Sequence, residues 1–301
     1  MQSKSCFLIF IFIFLNVALQ NFPAYGEGRS MQVAPNVYVI TTLSFSNCGF
    51  IVTDEGVVAV DTQLVPLIAR EMIKEITAVT DKPIKYAINT HWHTDHIGGN
   101  EAFFPEARII AHELTRQVIA QRRKDQEEGK VDESIKQLGE FKFIPPDITF
   151  DHNMTLYMGA TRIELKFLGG GHTGGDIVVY LPKERVLFSG DLFIKGSGLP
   201  DYRDDSNIDQ LIASLKKMQG LDVDKIICGH MVIAEKKDIQ ESIDKLLAFR
   251  KQVKAYVDAG TPPEKAADSI PFPSGENPFY QQNFKKVLYK VYSDIKNSKQ
   301  R

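Results

Sequence analysis

The sequence predicts an α/β protein with two sheets, each covered on its outer side by helices. Three observations lead there. Short apolar runs that read as buried strands alternate with longer stretches whose apolar residues recur at helical spacing. Several of those runs end in a loop carrying His or Asp, where open α/β sheets place their ligands. Hydrophobic residues make up 43% of the 301, enough for a large core.

The elements follow in chain order. Pro66 to Thr80 places Leu67, Ile68, Met72, Ile76 and Val79 at helical spacing, with charge on the other side. Ile84 to Asn89 follows Pro83 and reads as a buried strand. It leads into His91-Trp92-His93-Thr94-Asp95-His96, with four potential metal ligands in six residues. Imidazole and carboxylate suit Zn²⁺. His91 and His93 lie two apart and project to one side of an extended segment. Asp95 and His96 come after a turn and can face a second ion, at the spacing of about 3.5–4 Å found in two-metal hydrolase sites. Gly98-Gly99 permits a tight backbone turn, and Asn100 is a candidate helix cap. Glu113 to Leu138 is a long charged helical stretch with a break at Gly129; it is either a lid beside the site or an outer helix. Arg122-Arg123-Lys124, with Asp125, Glu127 and Glu128 after it, reads as a solvated helix face.

Arg162 to Phe167 is strand-like and ends at the glycine-rich loop Gly169 to Asp176, with His172 at its centre; Ile177 to Leu181 follows. Val186 to Asp191 is a strand ending in Gly-Asp, and Lys225 to His230 a strand ending in Gly-His. Five of the seven His residues lie in these loops; His112 and His152 read as structural or surface residues. Ile208 to Met218 and Ile239 to Val257 are amphipathic helices. Beyond Ala259, Pro262-Pro263, Pro271 and Pro273 mark irregular backbone. Tyr280 to Ile295 then forms a final helix with Phe284, Val287, Leu288 and Val291 on the face that packs back on the domain.

Cys6 to Leu19 is a 14-residue apolar run behind Lys4, too short for a bilayer span and suited to a secretory signal. Cleavage is expected after Gly26, with an uncleaved anchor as the alternative. Residues 1–26 are thus expected to be a signal peptide, 27–258 the domain that carries the ligand loops and 259–301 a helical extension, and the expected location is periplasmic or secreted, with no stable membrane span after processing. Removing residues 1–26 leaves 35 basic against 38 acidic residues, and that balance argues against a nucleic-acid partner. Cys48 and Cys228 read as buried strand residues, although an oxidising compartment would permit a disulfide.

HWHTDH, GGGHTGGD, FSGD and CGH, in that order, resemble the metallo-β-lactamase superfamily over roughly Val33 to Val253. The apolar run Val57 to Val60 ending in Asp61 belongs to the same pattern. The resemblance implies one αββα four-layer sandwich. It implies that His91, His93 and His172 hold one Zn²⁺, that Asp95, His96 and His230 hold a second, and that Asp191 bridges them. Asp61 is then either an acceptor for a ligand imidazole or a strand-terminal turn residue. The implied activity is a zinc-dependent hydrolase that opens a small cyclic amide, a β-lactam first, by attack of metal-bound hydroxide, with Asp95 and Asp191 at the chemistry. Lys195 is a candidate for a substrate carboxylate, or a solvated loop lysine. The β-lactamase pattern is not complete: an Asp stands at 191 where the common di-zinc β-lactamases carry Cys, His96 replaces a non-ligand, and Ile194-Lys195 is shifted by one residue. Asp191 with His96 resembles lactonases, thioesterases such as glyoxalase II, and iron persulfide dioxygenases. A periplasmic metal-binding protein is the non-enzyme alternative.

Overall fold

The computed structural model describes residues 30–41, 43, 46–131, 133–196, 205–230, 232–270 and 278–298. The expected signal segment and Pro271 and Pro273 lie outside them. Among the described residues no helix is long and apolar enough to cross a membrane.

Two sheets face each other. The first has seven strands in chain order: β1 (Ser30–Ala34), β2 (Val37–Ile40), β3 (Cys48–Thr53), β4 (Gly56–Val60), β5 (Ile84–Ile88), β6 (Arg108–His112) and β7 (Ile148–Phe150). The second has six: β8 (Asn153–Met158), β9 (Thr161–Phe167), β10 (Ile177–Leu181), β11 (Val186–Gly190), β12 (Lys225–Cys228) and β13 (Ile233–Ala234). In the first sheet β1 to β4 are antiparallel and β4 to β7 parallel. Each parallel step needs a crossover, and helices supply it. α1 (Pro66–Val79) links β4 to β5; α2 (Thr94–Ile97) and α3 (Asn100–Phe103) link β5 to β6; α4 (Glu113–Glu127) and α5 (Glu133–Lys136) link β6 to β7. In the second sheet the parallel pair is β11 and β12, linked by α6 (Ile208–Gln219). α7 (Lys236–Asp258), α8 (Pro263–Ser269) and α9 (Pro278–Ser298) complete the chain.

The layers follow from side-chain alternation along strands. In β4, Val58 and Val60 join the core between the sheets, while Val57 and Ala59 pack outward with Ala69, Met72 and Ile76 of α1. In β10, Ile177, Val179 and Leu181 face inward, while Val178 and Tyr180 join the outer core with α6 and α7. The inner strands β4, β10 and β11 are thus buried on two faces, which is why they read as unbroken apolar runs. In α9, Phe284, Val287, Leu288 and Val291 are buried in that same outer core, and Phe284 lies 5.9 Å from Phe249 of α7 between ring centroids.

Several local expectations change. Leu67 is 67% exposed and Val79 is exposed too; the buried face of α1 is Ala69, Met72 and Ile76, so the stripe is rotated from the one the spacing suggests. Gly98 and Gly99 have ordinary negative φ. Space is what they need: a Cβ at Gly99 would lie 1.9 Å from Thr62 O. Asn100 opens α3 without capping it. Its amide is used inside the protein, on Thr62 Oγ1, Asn89 and Ile144 O. Pro262-Pro263 starts α8, with Pro263 in the first turn, where proline is tolerated.

Candidate metal centre

The ligand loops leave one edge of the sandwich at the carboxyl ends of β5, β9, β11 and β12. The structure gathers all seven predicted ligands there. His91, His93, His172 and Asp191 offer ligand atoms within 4.8 Å of one another, and so do Asp95, His96 and His230. Asp191 joins the two sets. Its Oδ2 lies 3.5 Å from His172 Nε2 and 3.1 Å from His230 Nε2, and its Oδ1 lies 3.3 Å from His96 Nε2. Asp95 Oδ2 lies 3.4 Å from His96 Nε2 and 3.3 Å from His230 Nε2. Four ligands about 2.0–2.1 Å from one tetrahedral ion stand roughly 3.3 Å apart, so these spacings match. His91 Nε2 is buried without a hydrogen-bond partner, 3.8 Å from Asp191 Oδ2, as an inward-facing ligand nitrogen should be. The residues fit a divalent metal.

Neighbours fix which nitrogen faces inward. Asp61 ends β4 at φ +57°, a left-handed conformation that Asp tolerates. Its carboxylate accepts from Thr90 N at 2.8 Å, from Thr90 Oγ1 at 2.9 Å and from His96 Nδ1 at 2.8 Å. That last bond puts the His96 proton on Nδ1 and leaves Nε2 as the donor to metal. Thr90 Oγ1 has given its own proton to Asp61, so it accepts from His91 Nδ1 at 3.0 Å and frees His91 Nε2 in the same way. Asp61 is therefore both a strand-terminal turn residue and an orienting acceptor. Asp176 shapes the His172 loop by accepting from the backbone of His172 and Thr173 and from Thr173 Oγ1. Burial pushes the Asp176 carboxyl up to about 7, against those hydrogen bonds.

The two sets differ electrostatically. Burial, then the neighbouring His96, holds His91 well below the usual histidine range. Burial also pulls down His96 and His230, but the carboxylates beside them outweigh it. His96 stands well above the usual range, and His230 is raised to about 9. Asp191 and Asp95 are held below the carboxylate range: burial raises both, and the imidazoles around them win.

Other expected residues lie apart from the ligands. Lys195 Nζ pairs with Asp238 at 2.9 Å, in the first turn of α7. His112 caps α4, accepting from Leu114 N, and Nε2 meets Asp151 O; His152 is exposed. Cys48 and Cys228 are buried free thiols, pushed up to about 12 by burial. Arg122 is not on a solvated face. Its guanidinium lies over the Trp92 ring at 4.6 Å and donates to Thr94 Oγ1 at 2.8 Å. Trp92, Ile119, Phe141 and Phe143 share a small core with Val118, Ile135 and Leu138 packed against it, which sets the α4–α5 region beside the first ligand loop. Thr90, Asp205 and the pair Ser46-Asn47 carried no motif signal, because each acts through a contact distant in sequence.

A family model described as the metallo-beta-lactamase superfamily matches residues 41–230, more than half of the chain. The chain is 30% identical to the alpha subunit of a 2,4-dinitroanisole O-demethylase from Nocardioides sp. (strain JS1661), over 74% of this chain and 64% of that subunit. The chain thus spans less than two thirds of that relative. It is 23% identical to a metallo-beta-lactamase type 2 from Elizabethkingia meningoseptica, over 80% of this chain and 95% of that one. A solved metallo-beta-lactamase from Pontibacter korlensis superposes with a TM-score of 0.60, at 23% identity, covering 72% of this chain and 98% of that chain, and shares the fold.

Proposed function

The chain belongs to the metallo-beta-lactamase superfamily, whose members are generally metal-dependent hydrolases, and on that premise we propose that it is a two-zinc hydrolase opening a small cyclic amide or ester at its carbonyl. The observation that carries this reading is the shared carboxylate: Asp191 reaches both ligand sets, with three further ligands on each side. His91, His93 and His172 would hold one ion, Asp95, His96 and His230 the other, with Asp191 between. Two such dications supply a nucleophile at neutral pH and Lewis-acid stabilisation of negative charge on the substrate. The chain's own residues prepare the site. Asp61 and Thr90 fix the imidazole tautomers. Arg122 stacks on Trp92 beside the first ligand loop. Asp95 is the more exposed ligand carboxylate, at 24% against 6% for Asp191. With Oδ2 given to the second ion, its other oxygen would receive a proton from the nucleophile and return it to the leaving group.

The β-lactam reading is supported by the type 2 enzyme, which aligns over nearly its full length. A neutral lactone, thioester or ether is the second reading. It is favoured by the Lys195–Asp238 pair, which engages the one cation expected to meet a β-lactam carboxylate, and by the demethylase relative. Zinc-loaded protein assayed against nitrocefin, neutral lactones, thioesters and an aryl methyl ether tests this. Cleavage of nitrocefin alone places β-lactam first; cleavage of the neutral substrates alone places it last; no cleavage of any removes the hydrolase reading. The apolar run of residues 6–19 supports export from the cytoplasm. Fractionation of the producing cell would contradict export if the protein stayed cytoplasmic.

A further inference from the structure

Two segments outside every ligand motif tie the ligand loops together, and each serves a different set. Ser46-Asn47 lies just before β3. Ser46 Oγ donates to Asp95 O at 2.5 Å, and Asn47 Nδ2 donates to Cys228 O at 2.8 Å. The Asn47 backbone N–H donates to Gly229 O at 2.6 Å. One dipeptide thus holds the loop of Asp95 and His96, from the first sheet, against the loop of His230, from the second. Gly229 N–H in turn donates to Gly190 O at 2.8 Å, beside Asp191. The fit there is close: a Cβ at Gly229 would lie 1.9 Å from Asp191 Oδ1. Asp205 does the corresponding work for the other set. Its Oδ2 accepts from Trp92 Nε1 at 2.8 Å and from Gly174 N at 2.9 Å. Trp92 stands between His91 and His93, and Gly174 two residues after His172. Among the described residues, the hydrogen bonds of Asp205 go to the first set's loops.

We propose that the two ligand sets have separate clamps, Asp205 for His91, His93 and His172, and Ser46-Asn47 for Asp95, His96 and His230, so that either metal can be loosened without the other. These are positioning residues; none is a ligand. The proposal rests on reading the two sets as a two-metal site. Its physical basis is that ligand groups bind tightly only when already held in place, and that loss of an outer hydrogen bond commonly weakens a metal by about 10–100-fold.

The test uses the full chain, freed of metal and titrated with Co²⁺, whose visible absorption reports each coordination environment. His172→Ala and His230→Ala assign the two sets of bands. Asn47→Ala is expected to weaken Co²⁺ in the second set by about tenfold or more and to leave the first within about threefold. Asp205→Ala is expected to do the reverse. Asp205→Asn keeps an accepting oxygen and should restore near wild-type binding. If Asn47→Ala does not fold, Ser46→Ala removes only the hydroxyl bond to Asp95 O and should weaken the second set alone. Urea unfolding of each metal-free variant separates a general loss of stability from a selective loss of metal. Equal weakening of both sets by either variant, or no weakening, overturns the clamps while leaving the two-metal reading intact. A wild-type chain that binds fewer than two Co²⁺ ions overturns both.

Discussion

Asp61→Asn separates orientation of a ligand from mere closure of a turn. Asn tolerates the left-handed φ of +57° about as well as Asp, so the change adds little backbone strain. The side chain keeps one oxygen for Thr90 N, 2.8 Å away. In the other position an amide NH₂ replaces Oδ2, which accepted from Thr90 Oγ1 at 2.9 Å and from His96 Nδ1 at 2.8 Å. Thr90 can rotate its hydroxyl away and still accept from His91 Nδ1. His96 has no such freedom. Facing a donor, it must move its proton from Nδ1 to Nε2, the nitrogen that points at Asp95 and Asp191. The second metal therefore loses one of its imidazoles. A loss of about 10–100-fold in its affinity is expected, equivalent to about 1.4–2.7 kcal/mol, with a much smaller change at the first metal. The metal-free fold should lose about 1.5–3 kcal/mol, the usual worth of hydrogen bonds to a charged group. Zn²⁺ titration against a chromophoric chelator, with urea unfolding of the metal-free protein, measures both. If the fold weakened while both metals bound as in the wild type, Asp61 would be a turn residue only.

Further expectations follow from the same geometry. In the metal-free protein His96 and His230 stand above the usual histidine range, His230 at about 9, and His91 stands below it. Zinc uptake by the second set should therefore release protons and tighten as pH rises toward about 9, while uptake by the first set depends less on pH; calorimetry in two buffers of different ionisation heat reads the difference, and equal proton release would contradict it. Removing zinc held at about 1,000 times its Kd should cost about 4 kcal/mol per site, on the order of 10 °C in Tm, provided unfolding is reversible. Trp92 is the chain's single tryptophan and lies between two ligands, so its emission should change as the first set fills, and Arg122→Ala should alter the metal-free emission. Lys195→Ala should leave a lactone's KM unchanged and, with the ammonium held by Asp238, raise a β-lactam's KM less than about threefold; a rise of about tenfold or more would restore Lys195 as a carboxylate anchor.

The ligand loops were legible because their chemistry is local. HWHTDH packs four ligands into six residues, Asp191 and His230 each follow an apolar strand, and His172 sits in a glycine-rich loop after strand β9. β10 and β11 read cleanly because both of their faces are covered, and β5 through its buried end at Ala87 and Ile88. The solvent-facing strands did not. β8 alternates exposed and half-buried residues up to Met158 and carries Asn, Thr and Tyr, so its periodicity is faint. Leu67 shows the limit of helical patterning: it has the right spacing and still points to water, because the α1 axis turns Ala69 and Met72 toward the sheet. Arg122 misled for another reason. It sits in a charged run, and only the fold brings Trp92 beneath it. Asn47 and Asp205 act on partners 181 and 113 residues away, a distance across which one sequence carries no pairing signal.

The most direct test is the metal content of the purified protein, measured by elemental analysis for the wild type and for Asp191→Ala side by side. Two ligand sets sharing one carboxylate predict about two zinc ions per wild-type chain and a loss of much of the second in the variant. A single iron per chain, with no zinc and no second ion on reconstitution, would contradict the two-metal hydrolase.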